Sequence, residues 1–296
     1  MDQTPMPPPQ TIRNSPYQGQ KLALATKHGK ERAIARPMRS AAGLEIVLPA
    51  DLDTDALGTF TGEVPREGKP LDVCVKKARL GMAATGLPLG LANEGSFGPH
   101  PFLPFVPANL EIMAFVDDAR GFIVHEMLFS EKTNYAQREV CGFGELGDWL
   151  QTVFFPSHGL IVRPKSGRPG MAVEKGIVTV ERLRAAIERA THHSEEAAAL
   201  VETDMRAHFN PTRMTLIRRL AFKLARRLAS RCPDCGAPGW GMTGQSAGLP
   251  CEECEAPTEM IRSEILTCTA CAHRETRPRS DGLRKAPAGR CGSCNP

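Results

Sequence analysis

A chain of 296 residues, 41% apolar and 24% charged with a net charge of +4, has room for one domain of ordinary size plus a small appendage, and the composition of a globular protein. No window approaches the roughly 18 apolar residues of a membrane span, and the N-terminal stretch "MDQTPMPPPQTIRNSPYQGQ" lacks the apolar centre of a secretory signal. A cytoplasmic protein with no membrane partner is expected, with residues 1–19 a disordered, Pro-rich leader.

In chain order, "KLALAT" (21–26) reads as a buried strand, followed by a helix that carries Ile34 and Met38 and ends at Gly43. "LEIVLP" (44–49) is the next strand. A long polar loop leads to a helix with Val73, Ala78, Leu80 and Met82 near its buried side. "LPLGLAN" (87–93) is a third strand that delivers Glu94 at its end, and "LEIMAFVDDARGFIVHEML" is a hairpin turning at Asp117 to Gly121. Alternating strands and helices predict an α/β domain over 20–165, a mixed sheet covered by helices.

Ligands of such sheets gather at strand ends. The first strand runs into Thr26, Lys27, His28, Gly29 and Lys30, where a helix start, a hydroxyl and two lysines suit phosphate. The third runs into Asn93-Glu94-Gly95. The loop between them offers Asp51, Asp53, Asp55, Glu63 and Arg66, acidic enough to hold a hard cation such as Mg2+ together with Glu94. A glutamate capping its own glycine-rich turn is the alternative for Glu94. His100, between two prolines, reads as a packed loop residue.

The order "ALATKHGKERAI", acidic loop, "KKA", "GLANEGSF" and "MAFVDDARGFIV" resembles the inosine-triphosphatase type of nucleotide pyrophosphatase over about 21 to 125. The resemblance implies a nucleoside triphosphate as ligand, Thr26 and Lys30 on its phosphates, Lys77 on the following helix, and Glu94 binding magnesium and activating water. Lys30 follows Thr26 by four residues where that family usually has five, and His28 or Gly29 stands where it has Asn. The chain as a whole resembles an uncharacterised bacterial family joining such a domain to a cysteine-rich module.

Residues 126–205 give a helix near 143–152, a strand preceded by His158, and a helical stretch from Thr179 broken at His192-His193, which reads as surface. Asp204, Arg206, His208 and Asn210 alternate; they would share a face if extended, and capping of the next helix is the favoured role. The region 166–231 is expected to be helical. From Arg206 through Arg231, both included, there are eight Lys/Arg and no acid, more than the whole positive excess. In "RMTLIRRLAFKLARRLASR", Ile217, Leu220, Leu224 and Leu228 form one helical stripe, and Arg218, Arg219, Lys223, Arg226 and Arg227 cover the other side. These arginines either pair with acidic neighbours or face phosphate, which keeps nucleic acid as the alternative partner.

Eight of the ten cysteines form four C-x-x-C pairs after residue 231: Cys232/Cys235, Cys251/Cys254, Cys268/Cys271 and Cys291/Cys294. Each knuckle offers two thiolates to one ion, so four knuckles make two closed, structural zinc sites in a small module over 232–296. The spacing allows sequential, nested or crossed pairing. A nested arrangement is favoured, with the second and third pairs joined through a ribbon over 255–267 and the first and last closing around it. Cys74 and Cys141 are expected to be buried free thiols.

Overall fold

The structure is a computed structural model that describes residues 15–50, 52, 68–166 and 173–295. The acids and the arginine of the 51–66 loop (Asp51, Asp53, Asp55, Glu63 and Arg66) and most of the leader lie outside the described residues. The last residues assigned to the leader, Ser15 to Gly19, form a turn that buries Tyr17 completely, its hydroxyl donating to Asp117 Oδ2 at 2.9 Å.

Strand β1 (Lys21–Ala25) leads into α1 (Glu31–Ala42), which stops at Gly43 in the left-handed conformation (φ 71°). There follow β2 (Glu45–Val47), α2 (Pro70–Thr85), β3 (Leu89–Pro99), β4 (Pro107–Asp117) and β5 (Phe122–Ser130). The sheet order is β2-β1-β3-β4-β5, with β1 parallel to both neighbours and β3-β4-β5 an antiparallel meander.

Alternation along the strands sorts side chains by size. One face presents Leu22, Leu24, Leu91, Met113 and Phe115 to α1 and α5 (Pro211–Ala229), while the other presents Ala23, Ala25, Ala92, Ala114 and Val116 to α2. The small residues let α2 lie close: a Cβ on Gly90 would come within 2.5 Å of the Met82 side chain, and one on Gly81 within 3.3 Å of the Ala25 Cβ.

Glu94 does not sit in a bend. Strand β3 continues to Pro99 because β4 supplies an unbroken partner, from Leu89 opposite Asp117 to Pro99 opposite Pro107, and Glu94 lies mid-strand opposite Ile112. A carboxylate and two glycines look like a turn in sequence, but ladder hydrogen bonds override that local preference.

A second sheet, ordered β6-β9-β7-β8, comprises β6 (Gln137–Val140), β7 (Leu160–Pro164), β8 (Glu174–Ile177) and β9 (Ala199–Thr203). Its strands come from both sides of residue 165, so 166–231 is not purely helical. Two short helical turns, a 3-10 segment (Phe143–Leu146) and α3 (Trp149–Thr152), stand where one helix was expected. Helix α4 (Val180–His193) covers the sheet with Leu183, Ala186 and Ile187. The chain beyond His193 is strand, its alternate residues Ala199, Val201 and Thr203 buried. Cys74 is buried as expected, but Cys141 is exposed in the turn after β6.

The tail forms a three-stranded antiparallel sheet of β10 (Gly241–Ala247), β11 (Ile261–Thr267) and β12 (Arg274–Pro278). No helix among the described residues is long and apolar enough to cross a membrane.

Candidate functional site

The parallel pairing of β1 and β3, with Ala25 opposite Ala92, puts their carboxyl ends side by side, so Thr26 and Asn93 emerge together. Lys30 caps α1 directly above; its ammonium is buried and donates to the Asn93 carbonyl at 2.6 Å. On the α2 side, Lys77 Nζ lies 2.7 Å from Glu94 Oε1, both groups buried. On the α5 side, Arg213 Nε donates to Glu111 Oε1 at 2.7 Å, Asn93 Nδ2 donates to Glu111 Oε2 at 3.0 Å, and Arg213 Nη1 donates to the Met205 carbonyl at 2.5 Å. Gly95 makes that last arrangement feasible, since a Cβ there would stand 2.5 Å from Arg213 Nη2 and 2.6 Å from Glu111 Oε1.

Three buried cations thus face two buried carboxylates. Burying charge is costly unless every group is paired, and among the described residues of this cluster cations outnumber carboxylates by one. Burial pushes the Lys30 ammonium down to about 8; the positive charge of Arg213 adds to this, and Glu94 and Glu111 oppose it. Among the described residues, the buried Thr26 hydroxyl and Asn93 side-chain carbonyl find no hydrogen-bond partner. Cations in excess beside an unengaged hydroxyl, at the ends of parallel strands, make a surface complementary to an anion. A cavity of about 340 Å³ opens next to it, where Gly95, Ser96 and Phe97 of β3 face Thr203, Asp204 and Arg206 of the second sheet.

Of the residues singled out in the sequence, Thr26, Lys30, Lys77 and Glu94 are brought together. His28 turns aside to stack on His208, with ring centroids 5.2 Å apart. Asp204 is buried and engaged by Arg206 at 2.6 Å, and Asn210 caps α5 by accepting from the Arg213 amide at 2.9 Å; a 3-10 turn between them (Ala207–Phe209) removes the shared face an extended chain would give. His100 accepts from the amides of Phe102 and Leu103 and packs in its loop. Asn93 was noted only as the residue leading to Glu94, and Glu111 and Arg213 were not foreseen. Arg213 could have been, because it lies four residues before Ile217, on the apolar stripe rather than the basic face, and an arginine there requires a buried acid.

The polar face of α5 is partly committed to the protein itself. Glu126 of β5 holds Lys223 at 2.8 Å and Arg227 at 2.9 Å, and Arg227 also donates to the carbonyls of Gly239 and His125, both at 3.1 Å. For these two residues, pairing with an acidic neighbour is the observed state. Arg218, Arg219 and Arg226 are exposed.

The cysteines assemble into two tetrads, Cys232/Cys235/Cys268/Cys271 and Cys251/Cys254/Cys291/Cys294, each with its sulfur atoms within 4.8 Å of one another. The pairing is therefore crossed, not nested. Residues 255–267 contain one strand, β11, instead of a ribbon that doubles back. Each of β10 and β11 carries the chain about 20 Å to the opposite end of the sheet, so alternate knuckles meet and consecutive ones cannot. The sulfurs of Cys232 and Cys271 are 3.9 Å apart, those of Cys235 and Cys268 3.6 Å, those of Cys251 and Cys294 3.8 Å, and those of Cys254 and Cys291 3.6 Å. A tetrahedron with metal–sulfur bonds of about 2.3 Å has edges of about 3.8 Å. Each tetrad can hold one metal ion.

A family model described as a domain of unknown function (DUF6671) matches residues 77–296. The chain belongs to this family. The matched region takes in Lys77, Glu94, Glu111, Arg213 and all eight knuckle cysteines, while Thr26 and Lys30 precede it. No curated protein matches the chain.

Proposed function

We propose that the α/β body binds a phosphorylated small molecule at the carboxyl ends of β1 and β3, a nucleoside triphosphate in the first instance, and hydrolyses its phosphate chain. The observation that carries this reading is the cluster of buried cations, Lys30, Lys77 and Arg213, which outnumber the buried carboxylates Glu94 and Glu111 among the described residues, with the Thr26 hydroxyl beside it. Such charge is disfavoured in an unliganded protein and compensated by a polyanion. The resemblance of "ALATKHGK" and "GLANEGSF" to the inosine-triphosphatase type supports the same ligand class.

In this reading Lys30 and Thr26 hold phosphate oxygens, and Lys77 leaves Glu94 to neutralise charge developing on them. Magnesium is usually held by one or two carboxylates together with substrate phosphates, which fits the single carboxylate that Glu94 supplies. The ion would polarise the phosphate chain and lower the pKa of an attacking water. Glu94, freed of Lys77, would hold that ion. The two cysteine tetrads are read as zinc sites of structural type, because four thiolates leave no open position.

The test is a thermal-shift panel of nucleoside mono-, di- and triphosphates with and without Mg2+. A ligand at about 100 times its dissociation constant adds about 2.7 kcal/mol of stability. Triphosphates should stabilise most, and Lys30→Met should abolish the shift. No stabilisation by any phosphorylated ligand would refute the reading.

A further inference from the structure

Strand β5 ends the first sheet, and the two faces of its side chains meet different environments. Phe122, Val124 and Leu128 pack inward with α1 and α5. The opposite face, where Ile123, Met127 and Phe129 project, lies beyond α2, which covers β1, β3 and β4. These three side chains, with Leu103, are 41% to 48% exposed, and Phe102 and Phe105 in the β3–β4 turn are 86% and 84% exposed. The patch is continuous, since the His100 ring sits 5.1 Å from Phe129 and 5.9 Å from Phe102.

Taking about 200 Å² for a complete aromatic side chain and slightly less for an aliphatic one, these exposures sum to roughly 600–700 Å² of apolar surface. That is at or above the largest apolar patch of a typical monomer, about 300–600 Å², and close to the about 800 Å² per partner of a standard stable interface. The named residues of the strip include no Asp, Glu, Lys or Arg, and polar groups flank it: Arg79 pairs with Asp118 at 2.8 Å, and Glu131 lies 3.4 Å from His100 Nε2. An apolar centre with a polar rim is the composition of a protein interface.

Addition of a strand from a partner is blocked at the centre of β5, because the outward carbonyls of His125 and Met127 already accept from Arg227 and Lys223. What remains is the flat side-chain face. A neutral, apolar face does not select a charged partner but is complementary to itself, and two such faces pack about 10 Å apart as in a sheet sandwich. We propose that a second copy of this chain packs here, with the β5 faces and the Phe102–Phe105 turns of two molecules against each other about a two-fold axis.

Sedimentation equilibrium of the full chain between about 0.1 and 50 µM tests this. The expected mass is twice the 32.1 kDa of one chain at the upper end of that range. Phe102 and Phe105 stand in solvent, so Phe102→Ser with Phe105→Ser leaves the fold intact, as circular dichroism would confirm, and should raise the dimer dissociation constant at least 100-fold. Met127→Lys, at an exposed strand position, should do the same. A monomer throughout the concentration range, or a dimer whose dissociation constant neither variant alters, would overturn the proposal.

Discussion

The body and the tail of this protein are held together by opposite means. In the body, a core built from Leu22, Leu24, Ile34, Met38, Phe115, Ile217 and Leu220 is large enough to tolerate eight buried charged side chains among the described residues, five of them in the Lys30–Glu94–Arg213 cluster. In the tail, the buried apolar residues are Trp240, Leu249 and Ala286 besides the three buried cysteines Cys232, Cys251 and Cys291. So small a core does not offset chain entropy, and metal–thiolate bonds at the two tetrads would supply the difference. The contrast teaches that polar side chains in the two regions carry different information. In the tail they form tetrads that can bind metal and so hold the fold; in the body they cost stability.

Removing metal should break the tail alone and is the largest effect expected. Elemental analysis should give two ions per chain, and Cys251→Ser or Cys268→Ser should each release one and expose the tail to protease while the body still melts cooperatively. Metal-free protein with a protected tail would contradict the account of that region. The converse perturbation is Arg213→Met, which leaves Glu111 buried without its cation and should cost the body about 3–5 kcal/mol with metal content unchanged. Adding Glu111→Gln should recover most of that loss, measured by urea denaturation.

Arg227→Ala probes the joint between the regions, because its guanidinium bridges Glu126, His125 and Gly239. A loss of about 1–3 kcal/mol and separation of the body and tail transitions in calorimetry are expected. The smallest effect concerns pH. Lys30 titrates near 8 when folded and near 10.5 when unfolded. Between those values the unfolded chain binds more protons, so stability should rise with pH, whereas affinity for a phosphate anion should fall as Lys30 loses its charge. Lys30→Met should flatten both profiles.

Much of this was legible in the sequence, and the limits have physical causes. The strands and helices around Thr26, Lys30, Lys77 and Glu94 followed from periodicity and punctuation, as did the apolar stripe of α5. Local signals misplaced Glu94, whose glycine-rich surroundings suggest a turn until the partner strand β4 is known. The stretch after His193 looked helical because alanine and glutamate favour helix, yet burial of Ala199 and Val201 in a sheet decides its state. Four C-x-x-C knuckles implied two cysteine tetrads but not their membership, which depends on how far one strand travels between knuckles. Glu111 was hidden because its partner, Arg213, lies 102 residues away.

The central claim, that the buried charges serve a phosphorylated ligand rather than the fold, is tested most directly at Glu94. Glu94→Gln alone strands the Lys77 ammonium and lowers stability, so the decisive measurement compares turnover and melting of the double variant Lys77→Met/Glu94→Gln with those of the wild type. The account predicts that the double variant melts near the wild-type temperature while Mg2+-dependent nucleoside triphosphate hydrolysis falls at least roughly a hundredfold, about 2.7 kcal/mol of barrier. A wild-type chain without hydrolysis, or a double variant that hydrolyses at the wild-type rate, would contradict it.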